Sequence, residues 1–277
     1  MYGKLYVVGT PIGNLNDFSP RAAETLKTVD FIAAEDTRVS VKILNSFDIS
    51  TPMVSYHEHN MHEKGKTICD RIMAGENCAI VTDAGMPCIS DPGEELIRMC
   101  AELGIDVLAV PGPSALTAAL AVSGLSTGRF CFEGFLSVNK HARAEHLEEL
   151  TNEKRTMIFY EAPHKLISTL NDLYKYFGDR RISIVREITK IHEQVIRTTL
   201  REACENFTQG DIKGEIVLVL EGKSRDDSGT VYDLSGACQI AWDLVSKGLS
   251  NTEASRQAAK ITGVKKGDIY KEILEKE

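Results

Sequence analysis

The 277-residue chain has no apolar run approaching the roughly 20 residues needed to cross a bilayer, and no charged, apolar and small-residue succession of a cleavable leader opens it. A cytoplasmic protein is therefore expected. The seven cysteines, Cys69, Cys78, Cys88, Cys100, Cys131, Cys204 and Cys238, form no Cys-x-x-Cys pair and are odd in number. That argues against a disulfide framework or a cysteine zinc site and for reduced thiols. There is no excess of basic charge: the formal net charge is −8. A chain coated with nucleic-acid-binding charge is excluded, while a local basic groove is not. The dinucleotide fingerprint Gly-x-Gly-x-x-Gly is missing, since the first turn reads Gly9-x-x-x-Gly13. The phosphate loop is missing too, because Gly65-Lys66-Thr67 has Asn60 where the first glycine belongs.

The chain is otherwise an ordinary globular one, 43% apolar and 26% charged, with length for about two domains. Short apolar strands are expected at Leu5–Val8, Phe31–Ala34, Cys78–Thr82 and Asp106–Val110, with helices at Arg21–Thr28, Lys66–Ala74 and Glu94–Leu103. Strand and helix in alternation predict a parallel sheet covered on both faces. An Ala/Leu-rich helix ends at Val122, and Ser123–Gly128 reads as a hinge. A second α/β unit follows, with strands at Arg129–Gly134, Thr156–Tyr160, Ile182–Val185, His192–Thr198 and Glu215–Leu220, close enough together for a mixed or antiparallel sheet. Polar Gly222–Thr230 reads as a linker. Beyond it, Ser250-Asn-Thr-Glu253 is a capping box and Gly263 a helix stop, so the tail is expected to be helical and to resemble a helix-turn-helix or to form a simple helical cap. The expected division is an α/β domain over 1–118, a second over 119–224 and a helical tail over 231–277.

Chemistry is expected at strand ends. Leu5-Tyr-Val-Val-Gly-Thr-Pro-Ile-Gly-Asn14 runs a strand into a turn that lets backbone approach a ligand. Val81-Thr-Asp-Ala-Gly-Met-Pro87 makes a rigid turn with one carboxylate, and Ser90-Asp-Pro-Gly93 follows, where Asp91-Pro92 reads as the start of a helix. Val110-Pro-Gly-Pro-Ser-Ala115 repeats the pattern. Ser114 is no hydrolase nucleophile, since Leu116 stands where the elbow needs glycine, and it is expected to cap a helix. His57-Glu-His-Asn60 with His62 supplies no closed tetrahedral set, so no metal is expected and a polar loop along a substrate groove is. Glu161, Arg186, Glu187 and Lys190 end strands as candidates for proton transfer or phosphate contact, set against a plain reading as solvated loop charges.

These turns occur together and in order, with Ala34-Glu-Asp-Thr-Arg38, Phe159-Tyr-Glu-Ala-Pro-His164 and Arg186-Glu-Ile-Thr-Lys190 between and after them. The series resembles the tetrapyrrole-methylase-type superfamily of S-adenosylmethionine-dependent methyltransferases, and within it the branch that methylates a cytidine ribose 2′-oxygen in small-subunit ribosomal RNA. The resemblance covers nearly the whole chain. It implies two α/β domains with S-adenosylmethionine in the cleft between them, a homodimer, and ribosomal RNA, within the assembled subunit, as partner. Carried over by motif, donor contacts would come from Pro11, Asp83, Ala84, Gly85, Ile89, Ser90, Ser114 and Ala115, with Tyr160, Gly214 and Glu215 closing the adenine side. Met86 departs from the threonine common in relatives. Glu187 or Lys190 would help remove the ribose proton, and Arg38 and Arg186 would hold flanking phosphates. The tail, with Arg256, Lys260, Lys265, Lys266 and Lys271, would add RNA contacts, diluted by Glu253, Asp268, Glu272, Glu275 and Glu277. Two alternatives stand beside this: a methylase of the same superfamily acting on a small tetrapyrrole, and a non-catalytic, ligand-gated RNA-binding protein.

Overall fold

The structure, a computed structural model, describes residues 2–207, 213–224 and 233–275. Within the expected linker, residues 225–230 lie outside the described residues, as does Glu277 of the tail. The chain falls into two compact units, Met1–Gly222 and Lys223–Glu277.

The first unit opens with a parallel sheet built from β1 (Lys4–Val8), β2 (Phe31–Ala34), β3 (Met53–Ser55), β4 (Cys78–Val81) and β5 (Asp106–Val110), in the order β3-β2-β4-β1-β5. Every residue of β2 and β4 is buried, because the pleat sends successive side chains to opposite faces and both faces are covered. Phe31, Ala33, Cys78 and Ile80 join one core cluster, and Ile32, Ala34, Ala79 and Val81 the other. The helices between the strands are α1 (Pro20–Thr28), α2 (Thr37–Ser46), α3 (Met61–Met73) and α4 (Glu94–Glu102). Ser19 caps α1 by accepting from the Ala22 N–H, and Asp36 caps α2 by accepting from the Arg38 N–H. Strand β3 and helix α2 were not expected, and α3 begins five residues before its expected start at Lys66.

Helix α5 (Ala115–Ser123) leads into a mixed sheet of β6 (Phe130–Phe135), β7 (Thr156–Glu161), β8 (Arg181–Arg186), β9 (Gln194–Thr199) and β10 (Ile216–Leu220). Its order is β6-β7-β10-β8-β9, parallel only between β6 and β7. One face packs under α6 (Lys140–Glu149), α7 (Leu166–Phe177) and α8 (Leu200–Asn206) around Phe159, Leu170 and Leu218. The other receives α5, with Ala119 and Leu120 against Ile158, Val185 and Val217.

The second unit holds α9 (Leu234–Ser246), α10 (Asn251–Thr262) and α11 (Lys266–Glu275). Ser250 accepts from the Glu253 N–H at 3.4 Å, and left-handed Gly263 ends α10. Ala237, Ala241, Ala258, Ile269 and Ile273 form its small core. Among the described residues no helix is long and apolar enough to cross a membrane.

Candidate functional site

Strands β4, β1 and β5 are neighbours, so the turns that leave their carboxyl ends lie side by side, where parallel sheets bind ligands. The first and second turns are tied by a two-residue bridge: the Thr10 N–H donates to the Gly85 carbonyl at 2.9 Å, and the Gly85 N–H returns to the Thr10 carbonyl at 3.2 Å. The Thr10 hydroxyl donates to the Thr82 carbonyl at 3.1 Å. First and third turns meet backbone to backbone. A Cβ on Gly9 would stand 2.7 Å from Gly112 Cα and 2.7 Å from Met86 Sδ, which only glycine allows. The first turn also reaches the second sheet: at Gly13, whose φ is +145°, a Cβ would fall 2.5 Å from Lys190 Cγ.

These turns and the second sheet enclose a cleft of about 300 Å³. Of the residues expected to hold a ligand, Ala84, Gly85, Ile89, Ser90, Ser114, Ala115, Tyr160 and Glu215 line it. Pro11 is buried in its turn, and its neighbour Ile12 reaches the cleft instead. Asp83 lies outside the lining and accepts from the Asp36 N–H at 3.3 Å. Gly214 lies outside it too, with φ at +92° beside Glu187. Phe135, Ile188 and Val217 add an apolar wall that the sequence reading missed. Ser114 takes the N-cap position of α5 but makes no side-chain cap bond, which corrects its expected role. The Tyr160 hydroxyl reaches the same helix end and accepts from the Leu116 N–H at 3.2 Å. Its ring lies edge-on to Phe132 and Phe135, with centroids 4.8 and 5.6 Å away. Burial pushes the hydroxyl's pKa up, so it stays protonated. Tyr160→Phe removes the acceptor for the Leu116 N–H, and titration calorimetry should show ligand affinity weakened by about fivefold, the worth of about 1 kcal/mol.

The expected catalytic quartet lies outside this lining. Lys190 donates to Glu187 at 2.8 Å and to Glu215 at 3.2 Å. Burial works against its charge, but the two carboxylates outweigh burial and raise its pKa. Lys190, followed by the Glu215 N–H at 2.9 Å, holds Glu187 below the usual carboxylate range. Arg186 donates to the Lys213 carbonyl at 2.9 Å and to Gln194 at 3.1 Å, fastening the segment ahead of β10. Arg38 is exposed and holds Asp36 at 2.6 Å. Glu161, by contrast, lines the cleft, but it is only 5% exposed and is held at the end of β7 by the Thr169 hydroxyl and by the Ala162 N–H at 2.7 Å, from both of which it accepts.

A residue read as a helix start takes a different place. Gly93, with φ at +142°, is the N-cap of α4, and Asp91 instead lines the cleft. Burial, then the nearby charges of Glu35 and Asp83, push its carboxyl up to about 6, against a hydrogen bond with Thr82. The turn that carries it is strained: Cys88 and Ser90 are non-glycine residues at φ +71° and +64°. Ser90 and Asp91 also line a second, more open groove of about 740 Å³ with Glu35, His57, Glu58 and His59. Among the described residues no group of three or more His, Cys, Asp and Glu is placed to hold a metal ion.

Residues 4–204 match the family described as Tetrapyrrole (Corrin/Porphyrin) Methylases. A protein of Synechocystis sp. named Ribosomal RNA small subunit methyltransferase I is 48% identical over 99% of this chain and 99% of its own length. One of the same name from Thermotoga maritima is 48% identical over 221 residues, 80% of this chain and 99% of its own. Among solved structures, uroporphyrin-III C-methyl transferase from Thermus thermophilus, complexed with S-adenyl homocysteine, has a TM-score of 0.57 at 18% identity, covering 79% of this chain and 97% of that one. An identity that low speaks to fold alone, whereas the near-complete match to the Synechocystis protein speaks to descent. The chain belongs to the tetrapyrrole methylase family, in the branch whose curated members are named ribosomal RNA small subunit methyltransferase I.

Proposed function

We propose that the chain transfers a methyl group from S-adenosylmethionine to the ribose 2′-oxygen of a cytidine in small-subunit ribosomal RNA, as a cytoplasmic homodimer acting on the assembled subunit. The observation that carries this reading is the meeting of three strand-end turns on one cleft in a chain 48% identical, end to end, to a small-subunit ribosomal RNA methyltransferase.

The cleft suits the donor. Ile12, Phe135, Ile188 and Val217 offer apolar surface to a purine, and the backbone packing of Gly9 on Gly112 lets the turns close around a small molecule. When bound, S-adenosylmethionine supplies a methyl group already activated by its sulfonium sulfur. Two tasks remain for the protein. The acceptor oxygen must lie about 3 Å from the methyl carbon and in line with the departing sulfur. Its proton must leave as the oxygen–carbon bond forms and the carbon–sulfur pair returns to sulfur.

Asp91 suits the second task. It stands where cleft and groove adjoin, and among the described residues it has no cationic partner. Lys190, a protonated ammonium between two carboxylates, has no lone pair to accept a proton, and Glu187 is a weakened base. That pair serves instead to join the first turn to the β8–β9 loop, through Gly13. Arg38, exposed at the start of α2, is suited to a flanking phosphate, while Arg186 holds the 213–215 segment in place. The family match spans residues 4–204 and stops short of the tail. We therefore assign the tail an accessory role, RNA contact, outside the methyl-transfer core.

The test is transfer of tritiated methyl to small subunits lacking the modification, followed by digestion and separation of nucleosides. Label in 2′-O-methylcytidine is the expected result. Label on a base, or transfer only to a porphyrin precursor, would overturn the reading.

A further inference from the structure

We propose that the groove beside the cleft receives the target base, turned out of its stack, and that Glu35 identifies it by accepting a hydrogen bond from the exocyclic amine of cytosine. This inference rests on the ribose-methylation reading above.

Three features of the groove carry it. The first is continuity. Ser90 and Asp91 line both cavities, so a nucleoside with its base in the groove places its ribose at that junction, with the 2′-oxygen facing the cleft. A base reaches such a site only when it is unstacked.

The second is charge. Glu35, Glu58, Asp91, Glu94 and Glu95 face the groove. Its one arginine, Arg98, is already bound to Glu95 at 2.6 Å and to Glu102 at 2.8 Å. A phosphate is repelled there, while a neutral ring presenting N–H donors is attracted. His57 and His59, with ring centroids 6.0 Å apart, supply aromatic surface for such a ring.

The third is the arrangement of Glu35. It follows β2, beside β4 in the sheet, so its carboxylate meets the Thr82 turn. The Thr82 hydroxyl donates to Oε2 at 2.5 Å, and the Asp83 N–H approaches the same oxygen at 3.5 Å. Oε1 makes no hydrogen bond among the described residues. The side chain is thus held from one oxygen and presents the other. Cytosine offers an amine hydrogen at its 4-position; uracil offers an acceptor oxygen there, which a carboxylate repels. Glu35 would then be a specificity residue, while Asp91, one junction away, takes the proton.

The test compares small subunits reconstituted on two RNAs, identical except for cytidine or uridine at the target position, with tritiated donor and nucleoside analysis. The wild-type enzyme should favour cytidine. Glu35→Gln, which keeps an acceptor for Thr82 but replaces the carboxylate with an amide, should lower the cytidine-to-uridine ratio by about 10- to 100-fold, the usual weight of one base-edge contact. Glu35→Asp, which keeps the charge, should keep the preference. Donor affinity by calorimetry should not change, because Glu35 lies outside the cleft. A ratio unchanged in Glu35→Gln, or equal losses on both RNAs, overturns the inference and leaves the ribose reading intact. If the wild type places no methyl on ribose in either RNA, that reading itself fails and this one with it. Should the glutamine variant not fold, wild-type enzyme can be given subunits reconstituted on RNA with N4,N4-dimethylcytidine at the target. A loss of similar size supports the inference, and unchanged turnover overturns it.

Discussion

Asp91→Asn is expected to slow methyl transfer by about 10²- to 10⁴-fold, the usual contribution of a positioned proton acceptor, while making the folded chain more stable at neutral pH. The two effects share one cause. Burial and the neighbouring Glu35 and Asp83 carboxylates push Asp91 up to about 6, with Thr82 hydrogen bonding against them. Cys88, also in this turn, has its thiol pushed up to about 11, first by burial and then by Asp91 and Glu94, so it remains neutral and adds no further negative charge.

A carboxyl whose pKa is higher in the fold than in the unfolded chain binds its proton more tightly when folded. Its ionisation therefore costs stability, nothing below about pH 4 and fully above about pH 6. A shift of two units corresponds to at most about 3 kcal/mol; for a partly exposed group, solvent screening reduces this to about 1 kcal/mol. Asparagine removes that cost, so the urea midpoint at pH 8 should rise, with little change at pH 4. The rate should show the opposite dependence. In the wild type it should fall as pH drops through about 6, when Asp91 takes up a proton and can no longer accept one. This limb should vanish in the variant. Donor affinity should be nearly unchanged, since the shape is kept. A variant as fast as wild type would remove Asp91 from the mechanism, and one that lost stability would assign it a structural role.

Gly9→Ala should weaken donor binding by about a hundredfold. The added methyl would enter space already held by Gly112 Cα at 2.7 Å and Gly112 N at 2.8 Å, both backbone. A flexible side chain such as Met86 can move aside, but two turns fixed to adjacent strands cannot do so separately. Overpacking of this kind costs about 1–3 kcal/mol, and relief requires the first and third turns to part. That movement pulls on the Thr10–Gly85 bridge, and so on the second turn too. The loss should appear both in calorimetric affinity and in the thermal midpoint. Gly128→Ala is the control, since a Cβ there meets nothing within 4 Å; it should leave both quantities unchanged. Wild-type affinity in Gly9→Ala would mean that the turns do not form the donor site together.

The parallel sheet was legible because two of its central strands, Phe31–Ala34 and Cys78–Val81, are runs of four residues buried on both faces. Met53–Ser55 was not, since three half-buried residues at an edge carry no periodicity. Helix α6 escaped for a related reason: Leu147 is its one buried residue. The turns at residues 9–14, 83–87 and 111–115 announced themselves through glycine and proline, whose backbone demands are local. Asp91 did not, because Asp-Pro ahead of a helix has the same form whether the acid caps the helix or faces a cavity. Glu35 could not be placed from sequence at all, since only the pairing of β2 with β4 brings it to Thr82, 47 residues away. The ion pairs of Lys190 were hidden in the same way, with Glu215 lying 25 residues further on.

The central claim is that the three turns of the first sheet and the Tyr160 side of the second hold one donor molecule, with its reactive end toward Asp91. A crystal structure with S-adenosylhomocysteine bound tests it most directly. The expected result is the ligand in the cleft, its adenosine against Phe135, Ile188 and Val217 and its sulfur toward the Ser90–Asp91 junction. Density for the ligand at any other site, or in this cleft with the sulfur turned away from Asp91, would contradict it.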